Sequence, residues 1–213
     1  MLTVDSFTFN PFSENTYLVY NEDKACIIID PGCYSIEEKK ELDQHIEKKG
    51  LKPIYIFLTH SHIDHIFGLA AMKLAYKIPI LGHPKADIGL KSTHLVAKLY
   101  GFSVEDPPPV DQFMNDGDIL QLGKDQLQIL FCPGHAQDHL VLYAEQGEFA
   151  IVGDVIFKES IGRSDLPGGD FDTLMESIHQ KILILPPETV LYPGHGPETT
   201  IKLEITNNPF LKY

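Results

Sequence analysis

The segment His60-Ser61-His62-Ile63-Asp64-His65 constrains this chain more than any other part of it. Four candidate ligands fall within six residues. They follow Lys52–Leu58, a run rich in apolar side chains that reads as a buried strand. The chain therefore passes from a sheet into a tight loop at Thr59, where catalytic loops commonly leave a rigid scaffold. Imidazole and carboxylate together suit zinc, iron or manganese. In a turn, alternating residues such as His60 and His62 grip one ion, while Asp64 and His65 face a second. Crowding all four around one ion is unfavourable, which itself argues for two. The competing reading is a closed structural site, or histidines that merely cap a helix. Structural sites often enlist cysteine, and this segment has none.

Three further positions complete the set. His135 in Cys132-Pro133-Gly134-His135, Asp154 in Gly153-Asp154-Val155 and His195 in Pro193-Gly194-His195-Gly196 each follow a predicted strand beside glycine or proline. Each alone means little. Together with the first segment they describe ligands converging on one sheet edge. His139 either orients a ligand or water or satisfies backbone groups at the start of a strand. His45, His94 and His179 fall on predicted helices without partners and read as surface or structural. His83 ends a strand in Gly82-His83-Pro84 and reads as structural too.

The chain carries 17 Lys+Arg against 30 Asp+Glu, a formal net charge of −13. Phosphate binding needs a basic surface, so nucleic acid is not an expected partner. No apolar run is long enough to span a bilayer, so no membrane is expected either. Met1-Leu2-Thr3-Val4-Asp5 lacks the basic-then-apolar pattern of a secretory leader, so the expected location is cytoplasmic. Cys26, Cys33 and Cys132 are odd in number and lack C-x-x-C spacing, which indicates neither a disulfide framework nor a thiolate zinc site. Cys132 adjoins the His135 motif but reads as a small buried apolar side chain. Nothing in the sequence specifies an oligomeric state.

Strand-like segments at Thr3–Phe9, Thr16–Tyr20 and Ala25–Ile29 end at the turn Asp30-Pro31-Gly32. Ser35 to Lys49 carries helix formers with a Gly50 stop. Helical stretches are expected at Ile66–Tyr76 and Lys85–Leu99, followed by the stiff loop Asp106-Pro107-Pro108-Pro109 inside one domain, 1–213. Asp118–Leu122, Leu127–Cys132, Leu140–Ala144 and Glu148–Val152 read as strands. Asp170 or Asp172 caps a helix with the apolar stripe Leu174, Ile178, Ile182 and Leu185. A last strand at Val190–Tyr192 enters Pro193-Gly194-His195. This order suggests an α/β (α+β) chain with two sheets face to face and helices outside. A doubly wound parallel sheet satisfies the same periodicity.

With these motifs in place, the chain resembles metallo-β-lactamase-fold proteins of the compact glyoxalase II-like, hydroxyacylglutathione hydrolase-like branch. The matching segments are Asp30-Pro31-Gly32, Thr59-His60-Ser61-His62-Ile63-Asp64-His65, Pro133-Gly134-His135, Gly153-Asp154-Val155-Ile156-Phe157, Gly162-Arg163-Ser164-Asp165 and Pro193-Gly194-His195-Gly196. They stand in the family's order across nearly the whole chain. The resemblance implies a four-layer αββα sandwich. It places His60, His62 and His135 on a first divalent ion and Asp64, His65 and His195 on a second, with Asp154 bridging; zinc is the first choice. The implied activity is hydrolysis of S-lactoylglutathione, or a related small-molecule acyl thioester, by a metal-activated hydroxide. Asp64 and Asp154 are then the catalytic carboxylates, Asp64 orienting the water or accepting its proton. A thioester suits such a site because its leaving thiol, with a pKa of about 8.5, departs without a strong general acid.

The chain also departs from that pattern. Larger glyoxalase II enzymes have a tyrosine in the loop after the bridging aspartate, where this chain has Gly162-Arg163-Ser164-Asp165. They also carry a helical domain with basic residues for glutathione, whereas this sequence runs from His195 only to Tyr213, with Lys202 and Lys212. Glutathione recognition is therefore not implied. Arg163, the single arginine, either binds a substrate carboxylate or pairs with Asp165 or Asp170 to hold its glycine-rich loop. Other readings are a persulfide dioxygenase, which has a similar loop but one iron, and a lactonase or other small-ester hydrolase. A non-catalytic metal-binding module is the alternative from another class, and a complete ligand set argues against it.

Overall fold

The computed structural model describes residues 1–212. In one six-stranded sheet, β1 (Thr3–Phe9), β2 (Glu14–Tyr20), β3 (Ala25–Ile29), β4 (Lys52–Phe57), β5 (Ile80–Gly82) and β6 (Gln112–Phe113) lie in chain order. The later strands are β7 (Ile119–Leu122), β8 (Asp125–Phe131), β9 (Leu140–Ala144), β10 (Phe149–Gly153), the small hairpin β11 (Ile156–Phe157) and β12 (Ser160–Ile161), β13 (Val190–Pro193) and β14 (Thr199–Thr200). All but the hairpin form a second sheet in the order β14-β13-β10-β9-β8-β7.

Side-chain alternation along each strand explains the layering. Tyr17, Val19, Ile27, Ile29 and Phe57 point between the sheets, where they meet Leu127, Ile129, Leu140, Leu142 and Ile151. Their chain neighbours Leu18, Tyr20, Cys26, Ile28 and Ile56 point outward under helices. Both faces are thus buried, which is why these strands read as unbroken apolar runs. The helices are α1 (Ile36–Lys49), α2 (Ile63–Ile66), α3 (Leu69–Tyr76), α4 (Ala86–Tyr100), α5 (Phe171–Ser177) and α6 (Ile201–Asn207). Leu42, Ile46, Leu69, Met72 and Leu90 of α1, α3 and α4 cover the first sheet. Leu174 of α5, Ile178 and Ile182 of its wider π-type continuation, and Ile201 of α6 cover the second. The result is the expected αββα sandwich. A single doubly wound sheet is excluded, because the strands divide between two sheets and only β3 to β6 and the β10–β13 pair run parallel.

Local signals hold where capping chemistry is explicit. Ser35 and Glu38 form a reciprocal capping box on α1, and Gly50 ends it in the left-handed conformation. Asp170, not Asp172, caps α5, accepting from the Thr173 N–H. One expected helix is corrected. Ile66–Tyr76 is not continuous, because Gly68 interrupts it and its N–H donates to the Pro31 carbonyl at 2.7 Å. A Cβ at Gly68 would strike Cys33 Sγ, so the chain can pass this close only as glycine. The break lets α2 begin at Ile63, which carries Asp64 and His65 on its first turn. All three cysteines are free and buried, with burial pushing the Cys26 and Cys33 thiols up to about 12. Cys132 packs in the outer core of the second sheet. Among the described residues, no helix is long and apolar enough to cross a membrane.

Candidate metal centre

β4, β8, β10 and β13 each lead at their C-terminal ends into a loop carrying candidate ligands. The seven meet there. His60, His62 and His135 present ligand atoms within 4.8 Å of one another, and so do Asp64, His65 and His195. Asp154 lies between the two triads. Its Oδ2 is 3.5 Å from both His135 Nε2 and His195 Nε2, and its Oδ1 is 3.4 Å from His65 Nε2. Asp64 Oδ2 approaches His195 Nε2 at 3.1 Å.

Hydrogen bonds on the far side of each ring fix which nitrogen faces inward. His65 Nδ1 lies 3.0 Å from Asp30 Oδ2, and His135 Nδ1 lies 2.8 Å from the Arg163 carbonyl. His195 Nδ1 meets the Phe12 and Ser13 carbonyls at 3.1 and 3.2 Å. The Thr59 hydroxyl donates to Asp30 at 2.6 Å, so its oxygen is free to accept from His60 Nδ1 at 3.0 Å. Carbonyl and carboxylate oxygens only accept, so each of these Nδ1 atoms carries the proton. In the neutral imidazole each Nε2 then has its lone pair aimed at the centre. His62 presents Nδ1 instead, 2.8 Å from His135 Nε2.

These residues fit divalent cations. His60 Nε2, His65 Nε2 and Asp154 Oδ1 are buried atoms without a hydrogen-bond partner, a costly state for polar atoms. A Cβ on Gly194 would run into Asp154 Oδ1 and come within 2.7 Å of His65 Cε1, so glycine keeps this cradle open. The electrostatics agree. Burial pulls His60 well below its ordinary value, and burial with the nearby His135 takes His62 down to about 4. Asp154 lies well below the usual carboxylate range, because His65 and His195 overcome its burial. His65 is correspondingly raised, and His195 rises to about 9, each against its own desolvation. The carboxylates thus recruit positive charge, as protons or as metal ions.

Residues not singled out in the sequence hold this arrangement together. Asp30, read there only as part of a turn and a family match, accepts from Thr59 N, Thr59 Oγ1 and His65 Nδ1. Asn15 Nδ2 donates to the Pro193 and Gly196 carbonyls at 3.0 and 2.8 Å, and the Tyr17 hydroxyl to Pro193 at 2.6 Å. They fix the His195 loop. Glu14 is fully buried beside His65, and desolvation pushes its carboxyl well above the usual range. His139 accepts from the Asp154 backbone N–H at 3.0 Å and stacks on His60, so it satisfies a backbone group and contacts the centre at once. Arg163 holds His135 through its carbonyl, while its exposed guanidinium makes two bonds to Asp165, at 2.7 and 2.8 Å. His45 and His94 pair with Asp5 and Asp106, His179 bonds the Met175 carbonyl, and His83 stacks on Phe131; none belongs to the centre.

A cleft of about 830 Å³ opens over the centre, with α4 and the segment 160–168 among its lining. The chain belongs to the metallo-beta-lactamase superfamily, whose description matches residues 9–195. It is 38% identical over 206 residues to the probable metallo-hydrolase YqgX of Bacillus subtilis, covering 94% of this chain and 93% of the relative. It is 34% identical over 217 residues to the hydroxyacylglutathione hydrolase GloC of Haemophilus influenzae, covering 99% and 98%. TTHA1623, crystallised in a di-iron-bound form, matches with a TM-score of 0.88 at 36% identity, over 97% of this chain and 100% of that one.

Proposed function

We propose that this metal-dependent hydrolase is a thioesterase that cleaves S-lactoylglutathione or a related small-molecule acyl thioester in the cytoplasm. The observation that carries the reading is the pair of ligand triads with Asp154 between them, opening onto a cleft. Two bound divalent ions, zinc in this reading, supply an acidified water and a Lewis acid for the carbonyl.

The chain's own residues do the rest. Asp64 and Asp154 both titrate below the usual carboxylate range in spite of burial, so both are ionised at neutral pH. Asp64, its side chain 14% exposed to the cleft, orients the attacking water and takes its proton. Asp154, pinned by His139, bridges the two halves of the centre. A leaving thiol with a pKa of about 8.5 departs largely without protonation. Arg163 lines the cleft as a contact for a substrate carboxylate, which must compete with Asp165 for the guanidinium. The similarity to GloC supports the choice of thioester.

Thiol release from S-D-lactoylglutathione by the zinc-loaded protein tests the proposal. Asp64→Asn and Asp154→Asn should each lower turnover on the order of 100-fold or more. Oxygen consumption with glutathione persulfide, without thiol release from any thioester, would overturn it in favour of the dioxygenase.

A further inference from the structure

Building on the thioesterase reading, we propose that the cleft binds an aliphatic chain against α4, carried on the scissile carbonyl or on the leaving sulfur. α4 has two apolar faces. Ala86, Leu90 and Ala97 are buried against the protein, which satisfies one. Ile88, Val96, Leu99 and Tyr100 line the cleft, with Ile88 66%, Leu99 77% and Tyr100 50% exposed. Their helical spacing places them along one wall about 18 Å long, at 1.5 Å per residue. Lys85, Gly89, Ser92 and Thr93 line the cleft from the same helix, but the large exposed side chains are apolar, and such a strip beside a reactive centre calls for a partner.

The wall is continuous with the reactive floor, since His62, Asp64, Asp154 and His195 line the same cleft. It is also preformed. Phe12 packs on Tyr100 at 5.6 Å and on Phe102 at 5.4 Å, which anchors the C-terminal end of α4 to the β1–β2 loop. Phe157 and Leu166 add further apolar lining. Lys85, and Arg163 held by Asp165, line the same cleft, so a polar or anionic head group fits beside the hydrocarbon.

Two substrate series separate the possible positions of the chain. One varies the acyl group of N-acetylcysteamine thioesters from acetyl through butyryl and hexanoyl to octanoyl; the other keeps acetyl and lengthens an alkanethiol. In one series kcat/KM should rise about two- to fourfold per added methylene, the lower figure for a chain buried on one side. Ile88→Ser and Leu99→Ser should flatten that slope. Leu74→Ser, on the exposed face of α3 outside the cleft, should preserve it. Calorimetry with non-hydrolysable S-alkyl thioethers of the same thiol should show affinity rising with chain length. That readout stands even if no thioester is cleaved, so it separates failure of the subsite from failure of the thioesterase reading. Flat profiles in both series with chain-independent thioether binding, or a slope unchanged in Ile88→Ser and Leu99→Ser, would overturn the proposal.

Discussion

Replacing Asp30 by asparagine tests how far the metal centre depends on a residue that touches no ligand-binding lone pair. In the native protein one buried carboxylate accepts three hydrogen bonds, from Thr59 N at 2.7 Å, Thr59 Oγ1 at 2.6 Å and His65 Nδ1 at 3.0 Å. An asparagine has one acceptor oxygen and one donor amide. If the amide takes the Oδ1 position it opposes the Thr59 N–H. If it takes the Oδ2 position it opposes His65 Nδ1–H, which is relieved only by moving the proton to Nε2, the atom aimed at the centre. Either way one buried donor loses its acceptor and the remaining bonds lose charge assistance. With charge-assisted bonds worth roughly 1.5–3 kcal/mol each, the loss in stability should be about 3 kcal/mol. Disturbing such supporting bonds typically lowers metal affinity about 10–100-fold. The weakening should fall on the Asp64–His65–His195 half, with the His60–His62–His135 half less affected. Urea unfolding and competition with a zinc chelator measure both quantities. Wild-type stability together with unchanged affinity for both ions would refute the reasoning.

Gly194→Ala should reduce metal content without unfolding the chain, because the added methyl meets Asp154 Oδ1 and His65 Cε1; elemental analysis beside circular dichroism checks it. After metal removal, stability should peak near pH 6.5. His195, raised from 6.5 to about 9, stabilises the fold fully below about pH 6.5, and that contribution is lost as pH rises through about 9. His65 acts in the same direction. His62, lowered to about 4, works oppositely: as pH falls from 6.5 toward 4 the unfolded chain takes up a proton that the folded one refuses, and stability declines. His60 and His135 add to that acid-side loss. Urea midpoints across this range should show the peak, and restoring zinc should abolish the alkaline decline. Arg163→Ala should leave metal content unchanged, since His135 bonds the backbone carbonyl rather than the guanidinium.

How much of this was legible in the sequence differs between local and distant contacts. The seven candidate ligands and the strands feeding them are readable because such residue types cluster in short segments and strand periodicity is local. The Gly50 stop is readable for the same reason, whereas the choice of Asp170 over Asp172 and the capping box at Ser35 come from the coordinates. The helix break at Gly68 is not readable, because its cause is a carbonyl of Pro31 on another segment. Asp30 looked like a turn former, and nothing beside it in the chain marks it as the acceptor for Thr59 and His65. Asn15 and Tyr17 support the His195 loop across nearly the full length of the chain, a pairing with no local signature. That Arg163 bonds His135 through its backbone carbonyl has no sequence signature either, although its pairing with Asp165 is one of the two readings the sequence offers.

The central claim, a two-ion hydrolytic centre, is tested most directly by elemental analysis of the purified chain paired with S-D-lactoylglutathione hydrolysis on the same sample. The account predicts about two divalent ions per chain, with thiol release that disappears on chelation and returns with zinc. About one tightly held iron per chain, with no thiol release, would contradict it.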